Sequence, residues 1–346
     1  MEDEKMLEIE KLESTRPKSC QELLKEYQKR VELEGSPQAE FLNFRIKEDV
    51  KRITVPFEKE LAVELTVYNP SEPIEVGASY RLLPVRVEPK ESEFSQVVFF
   101  EKNGSVWEPA LGLPRFDLQD PFYIENIDGE HIFGGVKVHP DPKDPTVLCY
   151  KTVFWRFKNN LSELLDKDGN AIEPFAVGPE KMKGIRLVQI APKRIGVFSR
   201  PQGGEAGRGK IAYTEIDSLD KLRPETILNS EIIEGFFQEN EWGGVNDLHL
   251  LKNGLIGAVG HIAEEINGKK NYYGMSFIFD PDTRSFSNLK IIATAFDCPP
   301  VQVKKPDLGS ILYPGGLKTE EEGIFLYAGV GDTKAVRLKI KNPFVL

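Results

Sequence analysis

Cysteine is scarce and widely spaced in this chain. Cys20, Cys149 and Cys298 are odd in number and far apart, which argues against a disulfide framework and a close-spaced zinc site and leaves three free, structural thiols. Long apolar runs are missing as well. No stretch approaches the roughly 18 apolar residues of a membrane span, and MEDEKMLEIEKLE is charged throughout, without an apolar signal core. The expectation is a cytoplasmic protein with no membrane partner. Positive charge is in deficit: 45 Lys and Arg against 55 Asp and Glu give a net charge of −10, the reverse of the basic surface that a phosphate backbone selects, so nucleic acid is not an expected partner. In "GGEAGRGK" the Gly-Lys pair is not followed by Ser or Thr, nor by a helical pattern, so it is not a nucleotide-phosphate loop. No Gly-x-Ser-x-Gly elbow offers a nucleophile for acyl transfer. Nothing calls for a metal or a cofactor.

What is there is strand-and-turn grammar. Ser19 and Glu22 form a capping box ahead of "QELLKEYQKRVELEG", whose Leu23, Leu24, Tyr27 and Val31 fall at helical spacing before a stop at Gly35. Beyond residue 40, short runs rich in Val, Ile, Phe and Tyr alternate with Gly, Pro and Asn. Turns fall near Ser71, Gly129, Lys193, Gly254 and Gly323, at intervals of 58, 64, 61 and 69 residues. Outer strands "KTVFWRF", "KIAYTEI", "YGMSFIF" and "AVRLKI" follow these turns. A repeat of roughly 60 residues, each a four-stranded unit unable to bury both faces alone, predicts an all-β chain. The expected architecture is a five-bladed β-propeller over residues 39–346 with a helical extension over 1–38; a β-sandwich with irregular insertions is the alternative.

The repeats also predict a site. Asp120, Arg186, Asp247 and Tyr313 stand seven to ten residues before their turns, while Lys137, Arg200, His261 and Asp332 stand seven to nine after. In an antiparallel hairpin these two places share one end, so polar groups from distant sequence gather at one mouth. Gly-rich ends such as "FGGV", "EWGGVND", "YPGGL" and "AGVGD" leave room there. Carboxylates Asp120, Glu241, Asp247, Asp307 and Asp332, with the aromatic faces of Phe122, Tyr123, Trp242 and Tyr313, suit a polyol. Arg186, Arg200, Arg208, Lys210, Lys305 and His261 suit an anion or sugar hydroxyls, and His249, two residues from Asp247, shares its strand face. His131 and His139 are turn or loop residues without an assigned role.

The segment "QDPFYIENIDGEHIFGG" resembles the Asp-Pro strand of family-130 glycosidases, the β-mannoside phosphorylases and hydrolases built on a five-bladed propeller. "IRLVQIAPKRIGVFSRPQG" and "SILYPGGLKTEEEGIFLYAGVGDTKAVRLKI" resemble their middle and last blades. Over residues 20 to 346, "MKGIRLV", "SRPQGGEAGRGK", "EWGGVNDLHLLKNGLIGAVGHIA" and "KKPDLGSILYPGGL" resemble the domain-of-unknown-function family 1861, a propeller family without a settled activity. The glycosidase likeness implies that Asp120 is the general acid, working through a sugar hydroxyl, with Arg200 and Asp332 in the same site. Gln119 stands where that family has Glu, and Phe122 where it has Arg, which weakens the phosphorylase implication. The resulting expectation is inverting hydrolysis or phosphorolysis of a β-linked oligosaccharide or glycoside. Asp120 would be the acid, Glu241 or Asp247 would orient water, and Arg186, Arg200, Arg208, Trp242, His249, His261, Asp307 and Asp332 would bind sugar or phosphate. A propeller that binds a carbohydrate without cleaving it is the alternative.

Overall fold

The structure is a computed structural model that describes residues 17–46, 64–76, 80–90 and 92–345. Helix α1 (Cys20–Glu34) starts and stops where the local chemistry predicts. Ser19 accepts from the Glu22 backbone, the Glu22 side chain returns to the Ser19 N–H, and Gly35 ends the helix at a φ of 86°. Strand β1 (Gln38–Phe41) follows, and the described residues beyond it form five antiparallel meanders. The first holds β2 (Leu65–Pro70), β3 (Ile74–Val76), β4 (Tyr80–Pro89), β5 (Gln96–Asn103) and β6 (Val106–Pro109). The second holds β7 (Gln119–Ile127), β8 (Glu130–Pro140), β9 (Leu148–Phe157) and β10 (Ala176–Val177). The third holds β11 (Arg186–Ala191), β12 (Arg194–Ser199), β13 (Ala212–Ile216) and, after the short helix α2 (Pro224–Leu228), β14 (Glu231–Ile232). The fourth holds β15 (Glu241–Leu250), β16 (Ile256–Ile266), β17 (Lys269–Asp280) and β18 (Ser285–Ala293). The last holds β19 (Leu308–Glu320), β20 (Gly323–Val330) and β21 (Lys334–Ile340), with β1 paired along β21.

The turns at Gly129, Lys193, Gly254 and Gly323 each join the first two strands of a meander, as predicted. Ser71 does not. Strands β2 and β3 are both antiparallel partners of β4, and the chain passes from one to the other at Ser71 without making a hairpin between them. Asn69-Pro70 marks a bulge instead of a turn.

The core is split into five apolar clusters, each between two neighbouring meanders, in place of the single layer a sandwich would have. Phe99, Phe133 and Trp155 lie between the first and second; Phe154 and Val197 between the second and third; Phe198 and Phe279 between the third and fourth; Val259 and Leu326 between the fourth and fifth; Val85 and Tyr327 between the fifth and first. Each sheet thus has both faces covered, which is why β16 runs nine consecutive buried residues without polar alternation. Helix α1 adds Cys20, Leu23 and Tyr27 to the cluster of the third and fourth meanders. The first strands touch in sequence, β2 with β7, β7 with β11, β11 with β15, β15 with β19, and β19 with β2. Among the described residues no helix is long and apolar enough to cross a membrane.

Candidate functional site

Four of the five first strands carry one extra residue opposite their neighbour, at corresponding places: Asn69 in β2, the Asp120-Pro121 step in β7, Asn246 in β15 and Gly315 in β19. Such a bulge frees a residue from the ladder and re-aims its side chain. Asn69 and Asp120 each precede a proline, which has no N–H to lose, and both take the left-handed conformation at a φ of 47°, which Asn and Asp tolerate better than other side chains. Asp332, at the turn between β20 and β21, does the same at 55°. These three left-handed residues meet at one cavity of about 230 Å³, which Arg86, Lys183, Lys304, Tyr272 and Tyr313 also line.

Asp120 is buried and accepts from Asn69 Nδ2 at 3.0 Å and from Arg86 Nη1 at 3.1 Å. The other side of the Arg86 fork, Nε and Nη2, grips Glu88 Oε2 at 2.9 and 2.7 Å. Glu88 is fully buried and also receives Tyr68 Oη at 2.6 Å and the Lys304 ammonium. Burial alone would raise the Asp120 carboxyl, but Arg86, Lys183 and the Asn69 hydrogen bond hold it below the usual carboxylate range. Asp332 is shifted the opposite way: burial pushes it up to about 6, with Arg86 opposing and Asp120 adding to the rise. Two carboxyls on one cavity are thus driven apart, the pattern by which acid and base roles are divided.

The cavity cations are mostly spoken for. Lys270 pairs with Asp307 at 2.7 Å, Lys305 with Glu93 at 2.5 Å, and Lys304 with Glu88. Lys183 is different: no carboxylate of the described residues lies within ion-pair distance, and its ammonium stands 5.7 Å from the Tyr150 ring centre.

Of the residues singled out from the sequence, Asp120, Asp307, Asp332, Lys305 and Tyr313 line this cavity. His261 lies beside it, with its ring 5.1 Å from that of Tyr313 and Nδ1 2.8 Å from Asn246 Oδ1; burial, Arg200, Lys183 and Arg186 hold it well below the ordinary histidine value, hence neutral. Arg186 and Arg200 are committed to backbone. Arg186 donates to the Asn246 and Ile185 carbonyls and lies 4.1 Å over the Phe122 ring, while Arg200 donates to the carbonyls of Gly243 and Arg208.

The remaining placements correct the expectation. Arg208 stacks 3.6 Å over the buried Trp242 and pairs with Glu265, so neither the guanidinium nor the indole face opens on the cavity. Asp247 sits one residue past the bulge, where its side chain turns away. It is saturated by the backbone N–H groups of Leu248 and Leu317 and by His249 Nε2, each at 2.8 Å, and so fastens β15 to β19. Glu241 lies five residues before the bulge, at the start of β15, where it accepts from the backbone N–H of Cys20 and Gln238 and anchors the start of α1. Neither is placed to orient water beside Asp120. Tyr123 stacks on His131 and hydrogen-bonds it, Lys210 points to Glu234, and His139 pairs with Glu180.

Two other features were weighed. Cys20, Glu241 and Glu264 form the one close grouping of metal-capable side chains among the described residues, but Gln21 and Tyr273 hold Glu264 while backbone holds Glu241. A hollow of about 370 Å³ between Glu231 and Phe286 has the Arg284–Glu231 pair on its wall and lies on outer strands, away from these carboxyls.

The chain belongs to the family described as "Protein of unknown function (DUF1861)", whose profile matches residues 44–346. No curated protein matches it by sequence. Among solved structures it is similar to MPT-4, a mannose phosphorylase from Leishmania mexicana in complex with a phosphate ion. The identity is 30% over 93% of each chain, with a TM-score of 0.76. It is similar to MPT-1, a GDP-Man-dependent mannosyltransferase from the same organism, at 29% identity over 94% of this chain and 95% of that one, also with a TM-score of 0.76. A β-1,2-mannobiose phosphorylase from Listeria innocua shares the fold at 12% identity and a TM-score of 0.56, over 83% of this chain and 92% of that one.

Proposed function

We propose that this protein is a phosphorylase of β-linked mannosides, and that its meanders close as a five-bladed propeller with the cavity of Asp120 and Asp332 at one mouth. The cyclic sequence of apolar clusters and of first-strand contacts supports the closure. The observation that carries the reaction is Lys183: a cation facing the same cavity as Asp120, with no carboxylate of the described residues within ion-pair distance. A half-buried ammonium without an ion-pair partner is poorly solvated, and an anionic substrate group entering beside it supplies the missing charge. Phosphate is such a group, and the mannose phosphorylase relative was solved with it.

Asp120 is the carboxyl that meets the sugar. Held ionised by Arg86, it takes a hydrogen bond from a sugar hydroxyl and acts on the departing oxygen through that hydroxyl, within hydrogen-bond reach of about 3 Å. Phosphate attacks the anomeric carbon from the opposite face, so one displacement inverts the centre. Arg186 and Arg200, tied to backbone, stand behind the cavity lining and do not bind the anion.

The test is a panel of β-linked mannobioses incubated with and without phosphate, with GDP-mannose and an acceptor sugar as a separate arm. Mannose phosphate formed only when phosphate is present supports the reading. Free sugar in both conditions replaces it with hydrolysis, and turnover of GDP-mannose alone replaces it with mannosyl transfer. Thermal stabilisation by sugar without cleavage would make the protein a carbohydrate binder.

A further inference from the structure

Asp120 and Asp332 open on one cavity, yet only one of them is provided for. Asp120 has two donors, one of them the ion-paired Arg86. Among the described residues, nothing donates to the Asp332 carboxyl or pairs with it, although it is half-buried and its backbone is fixed in a left-handed turn. The groups facing it are Arg86 and Glu88 from β4, Tyr68 from β2, Asp120 from β7, Lys304 from the segment before β19 and Lys183 from the segment before β11. Two of the three cations are engaged elsewhere: Arg86 is divided between Glu88 and Asp120, and Lys304 is held by Glu88 and the Ser92 carbonyl. Lys183 stands free for phosphate. A carboxyl withdrawn from water beside a second carboxylate, with no donor of its own, is best satisfied by keeping its proton.

Resting on the phosphorolysis reading, we propose that Asp332 holds the proton for the reaction and that Asp120 stays ionised and aligns the hydroxyl through which that proton travels. In the step, a phosphate oxygen forms a bond to the anomeric carbon as the bond to the glycosidic oxygen breaks. That oxygen takes a proton from the Asp120-bound hydroxyl, and Asp332 reprotonates the hydroxyl. The P–OH of the sugar phosphate product then returns a proton to Asp332. Hydrogen phosphate and glycoside become sugar phosphate and free sugar, and no further acid is consumed.

Asp332→Asn and Asp120→Asn are compared on the full chain; Asn tolerates the left-handed conformation at both positions, so both variants keep the backbone. Asp332→Asn is expected to lower kcat/KM for mannobiose by about 10²–10⁴-fold and for dinitrophenyl β-mannoside, whose leaving group needs no proton, by less than about tenfold. It also removes the fall of activity above about pH 6. Asp120→Asn is slow on both substrates. Equal losses on the two substrates for Asp332→Asn, with an unchanged pH profile, would overturn the proposal. A second measurement needs no substrate: the infrared carbonyl band of a protonated carboxyl titrates near pH 6 in the wild type, titrates at lower pH in Asp120→Asn, where the neighbouring charge is gone, and is lost in Asp332→Asn. If that band is found while no mannoside is phosphorolysed, the proton's place stands and the phosphorolysis reading fails. If mannosides are phosphorolysed and Asp332→Asn keeps the band, the proton's place is refuted.

Discussion

Arg86 and Asp120 join the first and second meanders through a single hydrogen bond of 3.1 Å, from Nη1 to Oδ1, while the remainder of the guanidinium belongs to Glu88 on its own strand. The position of the Asp120 carboxylate therefore depends on a residue that never touches it. Glu88 receives four donors from three residues in a fully buried place, and it pairs with both Arg86 and Lys304.

Glu88→Gln keeps the shape and removes the charge, leaving Arg86 with Asp120 alone and Lys304 with only the more distant Glu93 at 3.8 Å. Breaking one partner of a buried pair costs about 3–5 kcal/mol. The unfolding free energy should fall by that amount, seen as a lower urea midpoint at unchanged slope, and turnover should fall with it because Arg86 no longer presents Nη1. A variant as stable as the wild type would show that Glu88 is not needed to hold the pair.

This network explains what was legible in the sequence and what was not. The capping box of Ser19 and Glu22 is local, so three residues carried the information. The hairpins at Gly129, Lys193, Gly254 and Gly323 were equally local. Asp120 was visible because Asp before Pro at the open end of a hairpin is odd in a strand. Its counterpart Asn69 was misread as part of a turn, since a polar residue before Pro marks turns and bulges alike. Arg86 and Glu88 were missed because charged residues at alternate positions in "LLPVRVEP" read as a solvent face. Only a strand covered on both sides reveals them as inward. Asp247 and Glu241 were misplaced because counting from turns ignores the bulge: in β15 the inward residue is Asn246.

Gly329 tests how closely the last meander meets the first. A methyl group there would collide with Asn69 Oδ1 and its backbone nitrogen, so Gly329→Ala forces Asn69 aside and strips Asp120 of one donor. Overpacking costs about 1–3 kcal/mol. Loss of a hydrogen bond to a charged group, also worth about 1.5–3 kcal/mol, should lower kcat/KM by roughly 10–150-fold. Full activity in a folded Gly329→Ala would remove Asn69 from the site.

Asp332 predicts a pH dependence of stability with a definite sign. Its carboxyl is raised to about 6 in the folded protein, so between the ordinary Asp range and pH 6 the folded chain holds a proton that the unfolded chain has released. Its contribution to stability is full below pH 4 and is lost as pH rises through 6, by at most about 3 kcal/mol. Asp332→Asn cannot lose that proton. The variant should match the wild type at pH 4 and exceed it in unfolding free energy at pH 8; a difference of the opposite sign would mean that the carboxylate is stabilised in the folded state.

Lys183 separates binding from chemistry. Lys304→Gln would break the ion pair to Glu88 and destabilise the protein whatever the cavity binds. Lys183 has no such pair among the described residues, and Lys183→Gln removes a free charge at the cavity wall while leaving the Glu88 network intact. If Lys183 binds phosphate equally in the ground and transition states, the KM for phosphate should rise about 10–100-fold, as expected for one charge-assisted hydrogen bond, while kcat at saturating phosphate stays near its original value. If the ammonium serves instead to keep Asp120 ionised, kcat falls, the KM for phosphate is unmoved, and the pH profile shifts upward as Asp120 becomes easier to protonate. Kinetics at several phosphate concentrations across the pH range distinguish these outcomes, and the second would withdraw Lys183 from the anion site.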